Sequence, residues 1–113
     1  MRRGEVVQVR WPYSDLSGTK VRPAVVVQDD FLNGFIDDTI FVKIIGRHYG
    51  IPGTEVKLDP TDEAECGLSK VCYASCKDLL TRDQMNAGPI IGSLSDAVMR
   101  QIEACLKAVL QIP

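Results

Sequence analysis

Arg22 stands directly before Pro23 and an unbroken Ala-Val-Val-Val run, just after the polar, glycine-bearing stretch Asp15-Leu16-Ser17-Gly18-Thr19-Lys20. The proline drives the preceding arginine into an extended backbone. It also lacks a ladder donor, so it belongs at the start of a strand. A guanidinium with a stiff apolar strand behind it and a mobile loop beside it has a defined direction. Its planar fork suits the oxygens of a phosphate. A second polar loop, Gly46-Arg47-His48-Tyr49-Gly50-Ile51-Pro52-Gly53, holds the single histidine. A histidine can act as acid or base in catalysis. If both loops reach one rim, Lys20, Arg22, Arg47 and His48 ring a concave lip that can hold a phosphate. Tyr13 and Tyr49 then offer faces on which bases stack. Two plainer readings compete. Loop charges are ordinary on any surface, and Asp15 is a candidate partner that would neutralise Arg22.

Other chemistry is poorly supplied. Asp78 and Asp83 have no carboxylate neighbour at a useful spacing, and Gly67-Leu68-Ser69 lacks the trailing glycine of a nucleophile elbow. Cysteines at 66, 72, 76 and 105 do not form paired zinc knuckles. Buried, reduced thiols are the expectation. No metal motif and no phosphate-cradling glycine loop occurs, so the expected chemistry uses no metal and no cofactor.

These residues need a scaffold. Glu5 to Trp11 alternates Val7, Val9 and Trp11 with Gln8 and Arg10, a half-buried first strand closed by Pro12. Tyr13 to Lys20 reads as loop. Arg22 to Gln28 is the second strand, and its continuous valines place it centrally, buried on both faces. Asp29 to Gly34 reads as one helical turn closed by Gly34. Thr39 to Ile45 is a β-branched third strand. Thr54 to Leu58 is a short fourth, and Asp59 to Glu65 an acidic surface excursion. Ser69 to Leu79 is a fifth, and Arg82 to Gly92 reads as irregular, broken at Gly88-Pro89. Ser93 is the expected N-cap of a final helix. Its stripe is Leu94, Val98, Ile102, Cys105, Leu106 and Val109. Five short strands and a packed C-terminal helix imply a mainly β, strongly bent small barrel. The connections are too short for parallel crossovers.

The chain of 113 residues reads as one domain, residues 1–113, large enough to bury a core without staples. A net charge of -2 argues against massive polyanion binding, so a nucleic-acid role requires a local basic patch. No apolar run is long enough to span a membrane, and the first residues lack a signal-peptide core, which makes the cytoplasm the expected location.

Residue by residue, the chain resembles the MazF/PemK family of toxins from bacterial type II toxin–antitoxin pairs. The similarity lies in Arg3-Gly4-Glu5-Val6-Val7-Gln8-Val9 with Pro12, in Ser14 to Lys20, and in Arg22-Pro23-Ala24-Val25-Val26-Val27. Thr39-Ile40-Phe41-Val42, Ile51-Pro52, Glu55-Val56 and Gly92-Ser93-Leu94-Ser95 continue it. The resemblance implies an SH3-like (CcdB/PemK-type) barrel that works as a homodimer. It implies a metal-independent endoribonuclease that cuts single-stranded mRNA by attack of the ribose 2′-hydroxyl, and control by a cognate antitoxin. Arg22 falls on the family's catalytic arginine. Arg47 and His48 complete the expected catalytic set, and Tyr13, Thr19, Lys20, Ser75 and Lys77 the expected substrate contacts. Two departures stand out. Ile45 occupies the place of a threonine or serine beside the phosphate. Ser75 and Cys76 occupy the places of an acidic residue and a glutamine. These leave an alternative: a weak or inactive protein on the same barrel that binds gyrase as CcdB-type toxins do, or binds only RNA or antitoxin.

Overall fold

A computed structural model describes residues 1–113. The elements are β1 (Glu5–Pro12), β2 (Thr19–Val26), α1 (Asp30–Phe35), β3 (Asp38–Ile45), β4 (Glu55–Leu58), β5 (Cys72–Asp83), β6 (Ile90–Ser93) and α2 (Asp96–Leu110), with a 3-10 turn at Gln84–Asn86. All pairings are antiparallel, in the order β4-β5-β3-β2-β1-β6. The mainly β, small SH3-like barrel with a packed C-terminal helix is therefore as expected, with six strands rather than five.

β2 is central, and Ala24, Val25 and Val26 are fully buried. Val25 faces the cluster under α2, with Val6, Val42 and Ile44. Ala24 and Val26 face a second cluster with Val7, Val9, Trp11 and Phe41. The continuous valine run thus serves two cores, as a strand covered on both faces must. β2 begins at Thr19, earlier than expected, so Pro23 lies inside the strand. β3 pairs with β2 only at Ala24, Val25 and Val26, so Pro23 lies beyond that ladder, where a missing N–H is tolerated.

α1 starts at Asp29, whose carboxylate accepts the Phe31 N–H at 3.0 Å. Gly34 does not end it. The helix runs through Gly34 to a cap at Ile36, because the Gln84 amide donates to the carbonyls of Asn33 and Ile36 and closes the last turn from outside. Beneath it, Gln28, Asn33 and Thr39 form a buried, fully bonded polar knot.

The irregular reading of residues 82–92 is corrected. β5 continues to Asp83, and β6 pairs with β1. Gly92 fits there because a Cβ would stand 2.3 Å from the Glu65 carbonyl oxygen. The helix cap is also corrected: Ser93 ends β6, and Ser95 caps α2 by accepting the Val98 N–H. Glu63 fixes that cap, taking the Ser95 N–H at 2.8 Å. α2 buries Met99, outside the expected stripe, together with Ile102, against the sheet. Each contributes about 1.5–3 kcal/mol of apolar burial. All four cysteines are free. No helix is long and apolar enough to cross a membrane.

Candidate functional site

Two local events open a trough. Beyond the Ala24–Lys43 pair, β2 and β3 are no longer joined, which leaves Arg22 on one strand and Ile45 on the other at the lip of an opening. In the β3–β5 ladder, Val42 faces Leu79 but Lys43 faces Ser75. Cys76, Lys77 and Asp78 are left without partners on β3, a large bulge of the kind that re-aims side chains beside functional sites. Cys76 turns into the core, while Lys77 and Asp78 line the trough.

The trough holds about 720 Å³. Tyr13, Lys20, Arg22 and Lys77 line it as the sequence indicated, joined by Trp11, Lys43 and Asp78, which sequence reasoning missed. Lys43 breaks an otherwise apolar strand, the one signal that could have found it. Its ammonium lies 5.7 Å from the centre of the Trp11 ring, within cation–π range. Nothing in the sequence betrays Asp78, because the bulge is visible only in the ladder.

Arg22 is half-buried and makes no ion pair. The expected competitor, Asp15, is occupied elsewhere: its carboxylate accepts the Ser17 N–H at 2.9 Å, which holds its pKa below the usual value. Asp78, the other acid in the trough, accepts from the Ser75 hydroxyl at 2.7 Å and from Lys77 at 2.8 Å. Burial pushes its pKa up, but these hydrogen bonds and the charges of Lys77 and Lys43 outweigh burial and keep it below the usual carboxylate range. Both carboxylates are thus satisfied, and Lys20, Arg22 and Lys43 carry charge with no anionic partner. The basic patch demanded by a chain of net charge -2 is here.

The remaining expected residues are placed differently. Tyr49 lines the trough and Arg47 does not, and two cations lie over the Tyr49 ring, Arg47 at 4.7 Å and Lys77 at 5.1 Å from its centre. His48 does not line this trough. Its Nδ1 contacts Glu55, and its ring lies 4.7 Å from that of Tyr73. The Glu55 side chain is only 8% exposed and also accepts the N–H groups of Tyr49 and Gly50, so it clamps the whole loop. Burial pushes the Glu55 pKa up, yet the two backbone donors and His48 together bring it below the usual value. Thr19 pairs with Pro12 and does not line the trough. Ser75 is buried and acts on Asp78 rather than facing the opening. Cys76 lies in the core, where burial, reinforced by Cys105, pushes its thiol up to about 12. A ring of unpaired cations with aromatic faces is suited to a flexible, phosphate-bearing chain.

The likeness to solved structures extends over the whole molecule. An endoribonuclease in complex with its cognate antitoxin from a mycobacterial species is similar at TM-score 0.81 and 22% identity, over 100% of this chain and 97% of that one. The Mycobacterium tuberculosis toxin MazF-mt6 is similar at 0.77 and 18% identity, over 98% and 99%. A MazE–MazF structure from Deinococcus radiodurans is similar at 0.76 and 20% identity, over 100% and 98%. No curated relative matches the chain by sequence. A family profile described as PemK-like, MazF-like toxin of type II toxin-antitoxin system matches residues 2–110. With nearly every residue inside that match, the chain belongs to the PemK-like, MazF-like toxin family of type II toxin–antitoxin systems.

Proposed function

We propose that this protein is a sequence-selective endoribonuclease that cuts single-stranded mRNA without a metal ion, as the toxin of a toxin–antitoxin pair. One observation carries the reading: Arg22, on the family's catalytic position, lies unpaired in a trough whose carboxylates are already satisfied. In the reaction the ribose 2′-oxygen bonds to the adjacent phosphorus and the bond to the 5′-oxygen breaks. The 2′-hydroxyl gives up its proton, and the leaving 5′-oxygen takes one. The products are a 2′,3′-cyclic phosphate and a 5′-hydroxyl. Arg22 stabilises the extra negative charge on the phosphorane-like transition state, a role commonly worth about 3–4 kcal/mol per preorganised donor. Lys20, Lys43 and Lys77 hold flanking phosphates, Tyr13 stacks a base, and Arg47 adds charge beside Tyr49. His48, held by Glu55, orients the loop that carries Arg47 and Tyr49.

The cognate partner is an antitoxin protein, as in the mycobacterial and Deinococcus complexes. The working form is a homodimer in the cytoplasm. β3 lies between β5 and β2 and is paired on both sides from Phe41 to Lys43. The end of α2 and the loop before β4 remain, with Ile51, Leu110 and Ile112 each about half exposed and Gly53 set against Ala108. The test is incubation of the purified protein with single-stranded RNA in excess EDTA. Discrete cleavage lost in Arg22→Ala is expected. Strict metal dependence, or full activity of Arg22→Ala, contradicts the reading. Binding of RNA with no cut by any preparation favours the inactive binder instead.

A further inference from the structure

A second cleft of about 480 Å³ adjoins the trough. Arg22, Lys43, Ile45 and Tyr49 line both, so these four side chains form the ridge between them. The second cleft adds Arg47 and Lys70. Its charged lining is therefore Arg22, Lys43, Arg47 and Lys70: all cations, with no carboxylate among them and none in an ion pair. The contrast with the first trough, which contains two aspartates, is sharp. The Lys70 ammonium lies over the bare backbone of Gly46, where a Cβ would stand only 3.6 Å from Nζ. Four cations without an ion-pair partner in a concave site repel one another, and an anion is what relieves that repulsion.

We propose that the second cleft binds the phosphodiester backbone of the nucleotide on the far side of the cut, with Lys70 and Arg47 as its contacts. This rests on the endoribonuclease reading. The chain would then cross the ridge at Arg22, with one flank in each cleft. Tyr49, with Arg47 and Lys77 over its ring, stands on the ridge between the flanks. Ile45 fits the same picture: an apolar residue on the ridge offers no hydrogen bond, so the phosphate is held by cations from both sides rather than by a hydroxyl beneath it.

The probe is a 2′-O-methyl RNA of mixed sequence, which lacks the attacking hydroxyl. Its affinity is measured against salt at two lengths, about 12 nucleotides and about 4. For the long probe, Lys70→Ala is expected to weaken binding several-fold and to flatten the salt slope by about 0.7, the loss of one phosphate contact on a single strand. Lys70→Arg is expected to restore the slope. The short probe, which cannot fill both clefts, is expected to feel the change much less. An equal effect at both lengths, or none at either, overturns the proposal. The proposal and the reading it rests on fail separately. A wild-type protein that cleaves RNA while Lys70→Ala binds normally sinks only the second cleft. A Lys70-dependent slope in a protein that cleaves nothing keeps the cleft and sinks the nuclease.

Discussion

Arg22 keeps its charge available because the acids around it are engaged elsewhere. Asp15 turns back on its own loop through Ser17, and Asp78 is held by Ser75 and Lys77. Arg22→Ala is expected to lower the cleavage rate about 100- to 1000-fold, with single-turnover kinetics showing a much smaller change in RNA affinity. Arg22→Lys is expected to recover little, since an ammonium cannot reproduce the two-pronged contact of a guanidinium. Glu55 gives a second prediction at this scale. Its folded pKa lies below the ordinary 4.5. Its ionised form therefore contributes stability that is present above the unfolded value and lost as pH falls through the folded one. Urea midpoints of wild type and Glu55→Gln are expected to differ at neutral pH and to converge in acid. A gap that stays constant with pH would contradict the clamp. The legible residues were those with local grammar. Arg22 precedes a proline, and Lys20 and Tyr13 border a serine- and glycine-bearing loop. Lys43 offered only its place as a lone cation in an apolar run and Asp78 offered nothing, since their roles arise from strand splay and a bulge that only long-range pairing creates.

Elements set the positions of these side chains, and small residues at their contacts carry much of the specification. β6 was invisible to periodicity because four residues after Gly88-Pro89 cannot display an alternation. What secures β6 is the close approach of Gly92 to Glu65 and Cys66. Gly67 on the other side of that contact adopts φ +73, which glycine alone takes without strain. Gly92→Ala is expected to destabilise the fold by about 1–3 kcal/mol through overpacking, read from urea denaturation. Ile102→Ala, which hollows the contact of α2 with the sheet, is expected to cost about 2–5 kcal/mol. The expected cap at Ser93 missed by two residues because both serines precede acidic or apolar residues suited to a first turn, and only the pairing of Ser93 with Glu5 decides between them. Strong patterns survived: the alternation of β1, the valines of β2 and, with Met99 added and Leu94 just before the helix, the apolar stripe of α2.

Across the whole molecule, a mildly acidic protein gathers Lys20, Arg22, Lys43, Arg47 and Lys70, none in an ion pair, in two adjoining clefts, while its apolar ends lie elsewhere. Ile51, Leu110 and Ile112 form a candidate self-association face, and Leu110→Glu is expected to convert a dimer to a monomer in sedimentation at micromolar concentration. A wild-type protein that is already monomeric would remove that part of the account. The overall fold was legible because burial on two faces of one central strand leaves few architectures for a chain of 113 residues. The most direct test of the central claim, that Arg22 assists a ribose hydroxyl in cutting its own strand, is the mass of the RNA fragments formed in excess EDTA. One fragment with a 2′,3′-cyclic phosphate and the other with a free 5′-hydroxyl are expected, both formed about 100- to 1000-fold more slowly by Arg22→Ala. Fragments bearing a 5′-phosphate, or the same cyclic ends produced by Arg22→Ala at the wild-type rate, would contradict it.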